Sequence, residues 1–370
     1  MMSISEQSSN TIGMRLMTLL FGGRLPKPRA YDLLTDDHPY RLYWGNEPAR
    51  CKAILRGVVF VAVCFGIMIV GSAIVMVPMM MSALTLSADS AAATATDTDA
   101  LIDDMTMDMR SPAMIATSAM QLAGAIIAYI ITVRVMEQRK SPVELQWRRL
   151  VPDLLCGMAF GFVAISASVL VIAMFGGYRI VGVNGGYDPW ADLFLMGVVA
   201  GVSEEIMMRG VLFRLVEEWV GTWGALGISA FVFGIMHWGN ADGTLWGSIA
   251  IAIEAGVLLA AVYVVTRSLW WCMGLHFMWN VTEGPIFGSI VSGNGNQQSW
   301  LIAQWGGPDW LTGGRFGLEA SVIPVILLGA VSVLLMHYAR RCGMIVAPLR
   351  ARKRMLIAQA EEIRRRQMTD

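Results

Sequence analysis

Charge is what this chain lacks. Only 15% of its residues are charged and 55% are hydrophobic, where a soluble domain carries about 25% charged residues. With a mean hydropathy of +0.55, that scarcity points away from a soluble fold and toward the membrane. The formal net charge is zero, and no nucleic-acid partner is expected. Five cysteines, at 51, 64, 156, 272 and 342, are scattered without a CxxC pair. They form neither a zinc ribbon nor a disulfide framework and read as small buried thiols. No HExxH pair is present. No repeat of roughly 20–50 residues recurs, which excludes solenoids and propellers. Residues 1–56 hold no apolar stretch long enough for a secretory core, so no cleaved signal peptide is expected.

What the chain has instead is long apolar runs separated by short charged stretches. A membrane-crossing helix needs roughly 20 apolar residues. About eight segments meet that length: 57–84, 112–133, 153–175, 190–218, 222–239, 244–266, 269–287 and 319–338. The expected fold is an all-α polytopic membrane bundle. Basic residues are one-sided. Of the 28 Lys and Arg, the loops on one side hold Arg110, Arg179 and Arg315, and Arg209 lies inside a segment. The rest fall in 1–56, 134–152, 214–221, 267–268 and 339–370, which places both termini in the cytoplasm. The first outer loop is acidic and of low complexity around 85–111. The loop at 288–318 is rich in Gly, Gln and Trp and is long enough to cap the outer face.

Ionisable residues inside hydrocarbon are costly and face the bundle interior. The fourth segment reads Gly201-Val-Ser-Glu204-Glu205-Ile-Met-Met-Arg209-Gly210. Glu205 and Arg209 share a helix face and suit an ion pair. Glu204 is rotated by about 100° and points elsewhere, so it is free for general-base work. The fifth segment ends in Phe233-Gly-Ile-Met-His237, and the seventh carries His276-Phe-Met-Trp-Asn280. His276 and Asn280 stack one turn apart and suit a developing oxyanion. At about 1.5 Å per residue these groups fall near mid-membrane, slightly toward the cytoplasm. A Glu, two His and an Asn on three helices suffice for hydrolysis by activated water, with no Ser or Cys nucleophile.

Glu204-Glu205-x-x-x-Arg209, Phe233-x-x-x-His237 and His276-x-x-x-Asn280, in that order, resemble the EExxxR, FxxxH and HxxxN motifs of the CPBP family. That family comprises type II CAAX prenyl endopeptidases and Abi-like bacteriocin-processing or self-immunity proteins. The resemblance covers roughly 190–285, and the eight-span plan with both termini inside is similar too. It implies an intramembrane endopeptidase acting on a membrane-associated substrate, of the prenylated CAAX or bacteriocin type. Glu204 would activate water with help from His237, and His276 and Asn280 would hold the oxyanion. Glu205, Arg209 and Phe233 would be accessory. No cofactor is required on this reading. Zinc held by Glu204, His237 and His276 is the alternative. The domain plan is a cytoplasmic extension over 1–56, a transmembrane bundle over 57–338 with its core at about 190–287, and a basic cytoplasmic tail over 339–370. The protein is expected as a multi-pass component of the cell membrane, with lipid and a membrane-bound peptide as partners.

Other readings exist for the same residues. Glu205–Arg209 could serve only to fix helix register, and the four polar groups could be glue between helices. The function would then be that of a scaffold or immunity protein, or of a proton-coupled transporter. Gly157-x-x-x-Gly161 and Gly197-x-x-x-Gly201 are packing signals. Met105, Met107 and Met109 read as apolar filler rather than a copper site. The tail over 350–366 could lie on an anionic leaflet or be an ordinary solvated helix.

Overall fold

The computed structural model describes residues 53–89, 111–139, 142–295 and 298–369. Most of the N-terminal extension and most of the acidic loop, with Met105, Met107 and Met109, lie outside the described residues. The protein is an all-helical membrane bundle. In chain order it contains α1 (Ala53–Asp89), α2 (Pro112–Ile130, running on as a wider π-helical turn to Met136) and α3 (Leu150–Met174). A strand β1 (Tyr178–Val183) follows. Then come α4 (Trp190–Trp238), α5 (Leu245–Thr266) and α6 (Leu269–Val281, with a π turn to Ile286). Strand β2 (Leu301–Trp305), α7 (Val322–Arg341) and α8 (Leu349–Thr369) complete the order.

The helix starts follow local chemistry. Ser111, Thr244, Ser268 and Ser321 each accept a hydrogen bond from a first-turn N–H of the helix they precede. The α5–α6 connection is only Arg267 and Ser268, and Arg267 takes the left-handed conformation (φ 48°) that stops α5.

By length and hydropathy, six described helices can cross a membrane, where the sequence reading predicts about eight segments. Two features account for the difference. The predicted segments 190–218 and 222–239 both form, as two helical arms that meet at Gly221 without a loop, and they count as one continuous stretch, α4. It turns at Gly221, whose φ of 78° and ψ of 176° are not helical. The predicted segment 269–287 forms as α6 and its π turn, but His276, Asn280 and Glu283 make it too polar for the set.

Helix α5 is the centre of the bundle. Leu258 through Val265 are all buried, at 1% exposure or less, as expected of a helix that is apolar all round. The outer helices turn apolar faces outward, as with Val61, Phe65, Ile69 and Ile74 on α1. That face suits lipid rather than water. Helix α6 is seated against α3 through glycines. A Cβ at Gly161 would lie 2.6 Å from the Leu275 carbonyl, and one at Gly157 or Gly274 would collide with the opposing backbone.

The two ends of the bundle differ. At one end the basic segments meet. Arg56 bridges Glu137 and Glu218, Arg214 reaches Glu137, and Arg139 binds Glu144, which also accepts from the Tyr129 hydroxyl. At the other end β1 and β2 pair antiparallel, Tyr178 against Trp305 through Val183 against Leu301. This two-stranded ribbon is tied to the end of α6 by Trp300 N–H on the Pro285 carbonyl and by Trp305 Nε1–H on the Gly288 carbonyl.

Two measurements check this packing. Gly274→Leu forces a side chain into the Leu154 backbone, and thermal unfolding in detergent should show a loss of about 3 kcal/mol or failure to fold. Glu144 supplies a pH test. Burial works to raise its pKa, but the Arg139 charge and hydrogen bonds outweigh burial and hold it at about 2, against the usual 4.5. A depressed folded value stabilises above the unfolded pKa, and that contribution is lost as pH falls from about 4.5 toward 2. Melting temperature should therefore drop across that window, and Glu144→Gln should flatten the drop. An equally steep profile in the variant would count against the network.

Candidate active site

The site is built where both arms of α4 meet α5 and α6. Glu204 and Glu205 lie on an α-helical turn, Gly201–Glu205, between two π-helical stretches, Leu193–Ala200 and Ile206–Phe213. Such bulges widen the helix and leave carbonyls in need of donors. Asn280 Nδ2 donates to one of them, the Met196 carbonyl, at 3.0 Å. Arg209 Nη2 donates to the Gly256 carbonyl at 3.1 Å, at the end of the π turn Ala252–Gly256 in α5. Gly201 allows the close approach: a Cβ there would lie 3.0 Å from Phe277 N on α6.

The predicted pair forms. Arg209 Nη1 donates to Glu205 Oε1 at 2.7 Å, and both side chains are fully buried. The same Glu205 oxygen also lies 2.9 Å from His276 Nδ1. That contact was not legible in the sequence. It assigns Nδ1 as the N–H donor and turns Nε2 toward Glu204, 3.9 Å from Oε2. Glu204 Oε2 has no hydrogen-bond partner. The Glu204 side chain keeps 19% of its surface exposed, against 0% for Glu205. Within this pair Glu204 is the more open side chain, although Oε2 of each glutamate is itself buried and without a hydrogen-bond partner.

His237 stands near the end of α4 with its Nδ1 2.7 Å from the Phe233 carbonyl. In the neutral ring this contact makes Nδ1 the donor and leaves Nε2 as the acceptor. Phe233 packs among the polar groups. Its ring centroid is 4.5 Å from that of His237 and 6.2 Å from that of His276, and the Arg209 guanidinium carbon lies 5.2 Å from it. The structure thus brings Glu205, Arg209, Phe233, His237, His276 and Glu204 into one chain of contacts. Asn280 follows one turn beyond His276 on α6.

Three further carboxyls escaped the sequence reading. Glu254 in α5, Glu283 beyond α6 and Glu319 before α7 are all buried. They lie close enough for mutual electrostatic interaction, and Glu319 also interacts with His237. Glu319 accepts from Trp279 Nε1 at 3.0 Å and from the Ser292 hydroxyl at 2.7 Å. Neither Glu254 oxygen has a hydrogen-bond partner. The signal that could have found Glu254 and Glu283 was their presence inside apolar segments, where an ionisable residue needs a reason. Glu319 stood at the very start of the predicted segment 319–338, where a charge is unremarkable.

Among the described residues no group of three or more His, Cys, Asp or Glu side chains is placed to hold a metal ion, Glu204, His237 and His276 included.

An integral membrane bundle with carboxylates and imidazoles converging between its helices defines the class. Residues 186–282 match the family model described as type II CAAX prenyl endopeptidase Rce1-like. The match spans about a quarter of the chain, and in that stretch the chain is similar to a family of CAAX-type membrane endopeptidases. All the motif residues lie within the match, while Glu283 and Glu319 lie outside it. No curated protein and no solved structure matches the chain.

Arg209 is the test of how the site is held. Arg209→Leu leaves Glu205 buried with only His276 as partner. Thermal unfolding in detergent should show a loss of about 3–5 kcal/mol. Arg209→Lys should recover only part of it, because one ammonium cannot serve Glu205 and the Gly256 carbonyl with the guanidinium's fork geometry.

Proposed function

We propose that this protein hydrolyses a peptide bond of a membrane-associated substrate, with Glu204 as the base that activates water. One observation carries the reading. Glu205 is fully buried and holds both Arg209 and His276 through Oε1, while its neighbour Glu204 keeps 19% of its side-chain surface exposed and sets Oε2 3.9 Å from His276 Nε2. A general base needs that combination of access and availability.

In the proposed reaction, Glu204 takes a proton from water as its oxygen attacks the scissile carbonyl carbon. The carbonyl becomes an oxyanion beside His276 and the second N–H of Asn280, the first being held by Met196. His276 donates from Nε2 in its imidazolium form, which the Glu205 carboxylate stabilises through Nδ1. His237, with Nε2 free of the Phe233 carbonyl contact, orients the water. On collapse the C–N bond breaks, and the proton held by Glu204 passes to the leaving amine. No step is routed through a metal.

We propose as substrate a prenylated CAAX-type C-terminus or a bacteriocin-like peptide, a reading that the similarity over residues 186–282 supports. We place the protein in the cell membrane with the basic end of the bundle in the cytoplasm, following the one-sided Lys and Arg. The buried trio Glu254, Glu283 and Glu319 favours one second reading, proton-coupled transport.

Mass spectrometry of peptides released from membranes that carry the protein tests the main reading. Glu204→Gln and His237→Ala should each lower turnover by about 100-fold or more, and Asn280→Ala by about 100-fold. Each variant should still be extracted as a folded protein. Full activity in Glu204→Gln would sink the reading. Proton-driven uptake into liposomes that survives in Glu204→Gln would favour the transporter.

A further inference from the structure

The turn at Gly221 joins the arm of α4 that holds Glu204 to the arm that holds His237. A strap over residues 342–348 covers it. Thr222 N–H donates to the Val346 carbonyl at 3.0 Å, and Val346 N–H returns a bond to Thr222 Oγ1 at 2.8 Å. Arg267 binds Glu217 through two hydrogen bonds and reaches the Met344 carbonyl at 3.5 Å. Arg352, nearly fully buried, donates to the Glu218 carbonyl. A Cβ at Gly221 would lie 2.6 Å from the Val346 carbonyl, so turn and strap are in backbone contact.

Directly after the strap comes α8, which carries seven Arg and Lys against two Glu. Its exposed side chains include Arg350, Arg354 and Arg364, together with the apolar Met355, Ile357 and Met368. Arg352, in its first turn, is its hydrogen-bonded anchor to α4. A strong cationic surplus with exposed apolar side chains is the composition of a helix that rests on an anionic bilayer surface. The site is at the right place, because α8 leaves the bundle at the end where the basic segments meet.

We propose that α8 docks on anionic lipid headgroups, and that the strap carries this contact to the Gly221 turn between the two arms of the candidate active site. The lipid contact is independent of the proteolytic reading, and only its consequence for the site rests on it.

Amide hydrogen exchange on the full-length protein tests both parts without an activity assay. The protein is placed in nanodiscs of phosphatidylcholine alone, or of phosphatidylcholine with phosphatidylglycerol. With the anionic lipid, exchange over residues 349–369 should slow by about tenfold or more, and raised salt should reverse the effect. The combined Arg350→Gln, Arg354→Gln and Arg364→Gln variant should lose the slowing while α5 and α6 exchange as in the parent protein. Equal rates in the two lipids would overturn the docking. Slowing of α8 with no change at Thr222 and Val346 would overturn the transmission to the turn. Slowing at all three, in a protein that releases no peptide, would leave this proposal standing and count against proteolysis alone.

Discussion

A carboxylate with no exposed surface, inside a bundle that itself sits in hydrocarbon, has to be matched by positive charge and hydrogen bonds. Otherwise its desolvation would not be recovered. Glu205 is held through one oxygen, Oε1, which serves both Arg209 and His276, while Oε2 has no hydrogen-bond partner. The consequences spread outward. Arg209, once fixed, supplies a donor to the Gly256 carbonyl of α5 and lies against the Phe233 ring on the far arm of α4. His276, once fixed at Nδ1, has one nitrogen left, and it faces Glu204. Through this one carboxylate, three helices are placed relative to one another and Glu204 is left available.

The backbone makes the same point in a different way. The widened turns in α4 and α5 release carbonyls, and residues of the candidate site are their partners: Asn280 for Met196 and Arg209 for Gly256. Polar side chains that look purely catalytic in a motif also satisfy the main chain where it departs from α-helical geometry. The glycine seam between α3 and α6 adds the steric half of the constraint. With Gly157, Gly161 and Gly274 at the contact, α6 can be held close enough for small shifts to matter.

Charge is divided between the two ends with different tasks. At the basic end it is locked into buried networks around Glu137, Glu144 and Glu217 that join α1, α2, α4 and the α5–α6 connection. At the capped end the capping loop brings Glu319 to Trp279, the residue beside Asn280, and into range of His237.

Much of this could be read from the residues alone. Long apolar runs with short charged breaks determined a helical membrane protein, because hydrocarbon admits no other open arrangement of a polar backbone. Spacing by four determined that Glu205 would meet Arg209 and that Glu204 would not, since both follow from helix periodicity. The glycine pairs announced close helix contacts for an equally local reason. What sequence spacing could not show was any contact between residues far apart in the chain. That Glu205 would hold His276, and that Glu254 and Glu283 would gather with Glu319, itself in range of His237, depend on how separate helices are set against one another. Tertiary structure alone decided those, because a buried charge takes whichever partner the packing brings within reach.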